Sequence, residues 1–169
     1  WAQFITPAQI AAQLRAGLPP LPARLRNIPE RHRSLQALFD QSWALLPEPR
    51  RTPFMRLAVL RGSFTSDAAL AVAGADLPAL LELVDASLVR AEGGDRYDLH
   101  ALARHYAAAQ LAASGLAQEA QRAHAGYYLA LAGRDPGQDA IEREYDNIRA
   151  AWLWALGAGE WAALWPAAQ

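Results

Sequence analysis

Apolar and polar positions alternate along this chain with two periods. From Pro29 to Leu46, the positions Leu35, Leu38, Phe39, Ser42, Trp43 and Leu46 recur at helical spacing. Ahead of them, "TPAQIAAQLRAG" predicts a short helix, with Thr6 as cap, Pro7 in the first turn and Gly17 as stop. The proline-rich "LPPLPARLRNIP" between the two is a linker. After Leu46, "PEP" breaks the helix, and the next is predicted from Pro53 to Leu60, capped by Thr52 and ended by Gly62.

Two short helices follow. "TSDAALAVAG" is capped by Thr65 or Ser66 and closed by Gly74, and "DLPALLELVDASL" is capped by Asp76 with Pro78 in its first turn. The period then drops to two. "LVRA", "EGGD" and "RYDL" form a hairpin in which Tyr97 and Leu99 alternate with Arg96 and Asp98, and Gly93-Gly94 supply the positive φ of a tight turn. A helix from Ala101 to Ser114 is stopped by Gly115. The order is that of a winged helix-turn-helix.

Beyond residue 115 the chain turns alanine-rich and helical. "AQEAQRAHAGYYLALAG" is one helix, "GRDPG" a turn and "QDAIEREYDNIRAAWLWALG" a second helix. In that second helix Ile141, Tyr145, Ile148, Trp152 and Ala155 keep three- and four-residue spacing. Gly157 and Gly159 interrupt it, and "EWAALWPAAQ" begins a third, with Trp161 and Trp165 on one face. Helical hairpins of this kind suggest tetratricopeptide-like repeats. The fold class expected is mostly α: a winged helix with a small β-hairpin wing, followed by antiparallel helical-hairpin repeats.

Composition narrows the chemistry. The chain has no Cys, and its sixteen basic residues are all Arg. Thiolate zinc sites, a thiol nucleophile, a Schiff-base lysine and a GxxxxGK[ST] phosphate loop are therefore excluded within these residues. No nucleophile–base pair or metal cluster is recognisable, so no enzyme is expected here. No apolar run approaches the roughly 18 residues of a membrane span. The start shows neither a signal peptide nor a methionine, and a cytoplasmic segment cut from a longer protein is expected. Charge is uneven. Residues 1–61 carry nine Arg against Glu30, Asp40 and Glu48, a surplus of +6, and residues 62–169 carry seven Arg against fourteen acids, or −7. Such a split can mark an interface.

Four histidines are candidates for chemistry. His105 lies five residues after His100, off the spacing that places two ligands on one helix face. His124 falls on an apolar face and reads as core packing. His32 stands among Arg24, Arg26, Arg31 and Arg33, a cluster able to grip a nucleotide, a nucleic acid or an acidic surface, or simply a solvated linker. His100 sits at a strand-to-helix junction, where a cap, a packing residue and an anion sensor all fit.

The blocks "PERHRSL", "FDQSWALLP", "RLAVLRGSFT", "LLELVDASLV" and "YDLHALARHYA" resemble the winged-helix region of bacterial STAND ATPases, relatives of NB-ARC switch proteins, many of them transcription regulators. "EYDNIRAAWLWAL" resembles the start of their repeats. The resemblance implies that residues 1–27 are the tail of a preceding helical domain, 28–114 the winged helix and 115–169 the first repeats. It also implies a Met-His-Asp signature whose His contacts the β-phosphate of ADP in the inactive state. Here the three positions read Leu99, His100 and Ala101, so the role of the Asp does not carry over. The implied cofactor is ADP or ATP with Mg in the longer protein. The implied partners are an upstream NTPase domain of the same chain, further helical repeats and an inducer.

Direct DNA binding is the rival reading. The helix that would enter the major groove, "DLPALLELVDASLV", carries Asp76, Glu82 and Asp85 and no Arg, Asn or Gln. Phosphate neutralisation and base reading both call for donors, so direct DNA binding by this segment is not expected.

Overall fold

The computed structural model describes residues 39–40, 42–134 and 137–160, all within one compact unit, Ala37–Gln169. The predicted helix and linker before residue 37 lie outside the described residues, as do Trp161 and Trp165. Residues 39–40 and 42–45 are helical, and the helix ends before Leu46. Helix α1 (Glu48–Leu57) starts almost at once. Its predicted start at Pro53 under a Thr52 cap is therefore corrected. Pro47 takes the cap position, and a proline in the first turn loses no hydrogen bond there because those N–H groups have no helical partner. Pro53 sits inside the helix with its ring buried. Beyond Leu57 the chain tightens to i→i+3 bonds, Ala58 to Met55, Val59 to Arg56 and Leu60 to Leu57, so the α-helix does not reach Leu60.

Strand β1 (Phe64–Thr65) follows, then α2 (Ser66–Ala73), α3 (Leu77–Asp85), β2 (Val89–Gly93), β3 (Arg96–Leu99) and α4 (Ala101–Ser114). Two caps are as predicted: Thr65 accepts from Ala68 N–H at 3.2 Å, and Asp76 accepts from Ala79 N–H at 2.9 Å. Gly74 closes α2 in the left-handed region. The short segment between Gly74 and Asp76 makes α2 and α3 a helix-turn-helix.

The sheet is antiparallel in the order β1-β3-β2. Val89 opposes Leu99, Ala91 opposes Tyr97 and Gly93 opposes Arg96, with a bulge between Ala91 and Gly93. The two-residue β1 was not visible as a strand; Phe64 pairs with Tyr97, and their rings stack at 6.4 Å. Phe54, Leu57, Leu60, Phe64, Leu80, Leu83 and Leu99 fill the core under this sheet. The result is a winged-helix arrangement in a mostly helical chain.

Helices α5 (Ala117–Ala132) and α6 (Gln138–Ala158) form a helical hairpin behind it. Gly157 lies within α6, and only Gly159, in the left-handed region, ends it. The predicted apolar stripe is corrected in part: Ala155 is buried and Ile148 and Trp152 pack partly buried against the core, but Ile141 and Tyr145 are 38% and 57% exposed, and the other buried positions of α6 are Glu144, Asn147 and Ala151. Polar and small side chains face inward because α6 is clamped to the winged helix by hydrogen bonds.

Candidate functional site

His100 is the N-cap of α4, exposed at the end of β3. Its Nδ1 accepts from the Leu102 N–H at a long 3.4 Å. With Nδ1 accepting, Nε2 is the ring nitrogen left to donate, and it has no hydrogen-bond partner among the described residues. No acid occupies the first turn of α4, so the positive helix end is not neutralised locally. Leu99 before it is buried and Ala101 after it exposed, which makes His100 a cap with an available donor.

The neighbouring arginine fixes this junction. Arg104, one turn into α4, donates to the Leu60 carbonyl, to the Gly62 carbonyl at 3.1 Å and to Asp98 at 2.9 Å. It therefore ties the start of α4 to the loop after α1. Its burial, opposed by Asp98 and reinforced by the nearby Arg61 charge, lowers its pKa from the ordinary guanidinium value. Asp98 also meets Arg90 of the wing at 3.4 Å.

The helix-turn-helix face has its own character. Glu82 of α3 is held by Arg50 of α1 through two bonds of 2.8 and 3.0 Å. That hydrogen bond from Arg50 is the main cause that lowers the Glu82 pKa. Arg50 also lies 3.9 Å from Asp76. The rest of the outer surface of α3 shows Leu77 and Leu81, about half exposed, and Asp85. Leu70 of α2 is exposed as well.

A third cluster, which sequence reasoning missed, joins the winged helix to the hairpin. Asn147 Oδ1 accepts from the Arg61 N–H at 2.6 Å while its Nδ2 donates to the Arg61 carbonyl at 2.8 Å. This side chain replaces a strand partner for one residue. Glu144 accepts from Arg96 at 2.5 Å and from Asn147 at 3.2 Å, and Arg96 also donates to the Ser63 carbonyl at 2.8 Å. His124, buried as predicted, meets Asn147 Oδ1 through Nε2 at 3.2 Å and lies against Tyr128. Burial, helped by the Arg61 charge and opposed by the Asn147 bond, lowers its pKa to about 4. The only advance signal was Glu and Asn three apart on a helix, which normally marks a solvated face.

His105 is exposed, away from any partner among the described residues. His32 and the Arg24, Arg26, Arg31 and Arg33 cluster lie outside the described residues. Among the described residues no group of three His, Asp or Glu could hold a metal ion, and no helix is long and apolar enough to cross a membrane.

Fold and topology thus define a winged helix-turn-helix joined to a helical hairpin. The chain is similar to proteins of Mycobacterium bovis (strain ATCC BAA-935 / AF2122/97) and of Mycobacterium tuberculosis strains CDC 1551 / Oshkosh and ATCC 25618 / H37Rv, each named "Putative HTH-type transcriptional regulator". Identity is 37% over 174 aligned positions, covering 92% of this chain and 20% of each relative. The chain therefore spans about a fifth of the length of these curated relatives. No family model matches the chain, and no solved structure matches it.

Proposed function

We propose that this chain is the winged-helix and first repeat region of a bacterial transcription regulator of the STAND type, in which the winged helix serves as a regulatory module. The relatives' name supports the regulator part of this reading. The surface of α3 supports the rest: a helix that would read DNA instead displays Leu77, Leu81 and Asp85, with Arg50 turned onto Glu82. Such a surface suits protein better than phosphate. His100 then contacts the β-phosphate of ADP held by an upstream NTPase domain, using the free Nε2–H and the α4 N-terminus, and so stabilises the inactive state. The hairpin begins a tetratricopeptide-like stack that receives an inducer or partner.

The test is nucleotide retention by the longer protein that carries both domains. A charge-assisted contact is worth roughly 1.5–3 kcal/mol, so His100→Ala lowers ADP affinity about ten- to a hundred-fold and raises basal output. Unchanged ADP retention and silence would leave His100 as a structural cap only.

A second reading has two observations in its favour. The winged-helix topology and the relatives' helix-turn-helix name both fit direct DNA binding, with Arg90 of the wing as a phosphate contact. Because four fifths of each relative lies outside the matched segment, the helix-turn-helix of that name is not assigned to these residues.

A further inference from the structure

The loop 60–63, between α1 and β1, is held by side chains of other elements rather than by backbone pairing. Among the described residues no backbone–backbone bond involves Arg61 or Gly62. Peptide groups at a packed junction need partners, and three side chains supply them. Arg104 of α4 donates to the Leu60 carbonyl and to the Gly62 carbonyl at 3.1 Å. Asn147 of α6 accepts from the Arg61 N–H at 2.6 Å and donates to the Arg61 carbonyl at 2.8 Å. Arg96 of β3 donates to the Ser63 carbonyl at 2.8 Å and to its hydroxyl at 3.0 Å. Two of these clamps are themselves held from elsewhere. Asp98 of β3 holds Arg104 at 2.9 Å, and Glu144 of α6 holds Arg96 at 2.5 Å.

The same loop thus meets the hairpin on one side and the His100 junction on the other. The Arg104 N–H bonds to the His100 carbonyl at 2.9 Å, so the residue that grips the loop also closes the first turn of α4. Gly62, at φ 65, gives the loop a pivot free of Cβ strain. We propose that the loop 60–63 is a coupling element between the helical hairpin and the start of α4. When the hairpin shifts or undocks, Asn147 releases the Arg61 peptide groups and Glu144 releases Arg96. The loop then turns about Gly62, and Arg104 and the His100 end of α4 move with it. A partner on the hairpin alters the junction without touching it, and by reciprocity a group that grips the junction tightens the hairpin. This link does not require His100 to meet a nucleotide and stands apart from that reading.

The test uses this chain, with NMR shifts and amide hydrogen exchange as the readout. Asn147→Ala shifts the His100 ring signals and speeds exchange of the Arg104 N–H about tenfold relative to the buried Leu80 and Leu83 amides of α3. Glu144→Gln, a milder change that loosens Arg96, gives the same pattern at smaller amplitude and serves where Asn147→Ala folds poorly. Val72→Ala, a buried apolar change that takes no hydrogen bond from the loop, leaves both signals in place. A double-mutant cycle between Arg104→Gln and Asn147→Ala, read by denaturant titration, is non-additive. In the Asn147→Ala background, Arg104→Gln changes the folding constant about fivefold less than it does alone. Additive costs overturn the proposal. So do unchanged His100 signals and Arg104 exchange in both α6 variants, or the same response to Val72→Ala.

Discussion

In the winged helix the largest buried side chains include Phe54, Leu57, Leu60, Phe64, Leu80 and Leu83; in α6 the buried ones are Glu144, Asn147, Ala151 and Ala155. The first region buries large apolar side chains, although Leu70, Leu77 and Leu81 stay about half exposed on its helix-turn-helix face. The second buries small and polar ones and leaves Ile141, Tyr145, Leu153 and Leu156 partly outside. The difference lies in what each surface packs against. Four helices (α1 to α4) and a small sheet must make their own core, so large apolar groups go inward. Helix α6 instead lies against α5 and the polar loop after α1, where alanines allow close approach and Asn147 meets the unpaired backbone of Arg61.

Removing a large apolar side chain from the winged helix gives the largest effect. Phe54→Ala costs about 3–5 kcal/mol in a denaturant titration, from lost burial and the cavity left behind. In the hairpin, the corresponding damage comes from a polar residue. Asn147→Ala strands the Arg61 backbone groups and part of Glu144, a cost of about 2–4 kcal/mol. If Asn147→Ala proved nearly neutral, the hairpin would be held by apolar contact after all.

His124 sharpens the comparison through pH. Its folded pKa, about 4, lies below the ordinary histidine value near 6.5, so the unfolded chain binds the proton more readily. Its contribution is fully present above about pH 6.5 and is lost as pH falls toward about 4, a change of roughly 3 kcal/mol. Stability measured against pH falls through that window, and His124→Leu flattens the slope. The outer face of α6 gives a near-zero effect: Tyr145→Ala stays within about 0.5 kcal/mol in the same titration. Ser87, which follows α3 with φ 58, offers a small gain. Ser87→Gly relieves left-handed strain and raises stability by up to about 1 kcal/mol, read as a higher melting temperature.

Sequence pattern was a good guide where local chemistry decides. The caps at Thr65 and Asp76, the left-handed Gly74 and Gly115, the Gly93-Gly94 turn and the alternation of Tyr97 and Leu99 all follow from local rules, and the structure has them. It failed where tertiary partners decide. Strand β1 is two residues long and exists only because β3 lies beside it. Helix α1 begins ahead of Pro53 because its ring is accommodated in the core. The helical spacing of Ile141 and Tyr145 was real, but periodicity cannot say which stripe faces inward when the partner is a polar loop. For His100 the sequence located the junction, and the structure added the cap bond and the Arg104 tether.

The most direct measurement concerns α3, the helix on which the regulatory and DNA-reading accounts part. Fluorescence anisotropy of this chain against a random-sequence duplex library, followed by selection and sequencing of bound duplexes, is run near physiological salt. With Leu77, Leu81 and Asp85 outward and Arg50 bound to Glu82, binding is expected to be no tighter than micromolar, with no enriched sequence. Submicromolar binding with an enriched motif that is lost on substitution in α3 would contradict it.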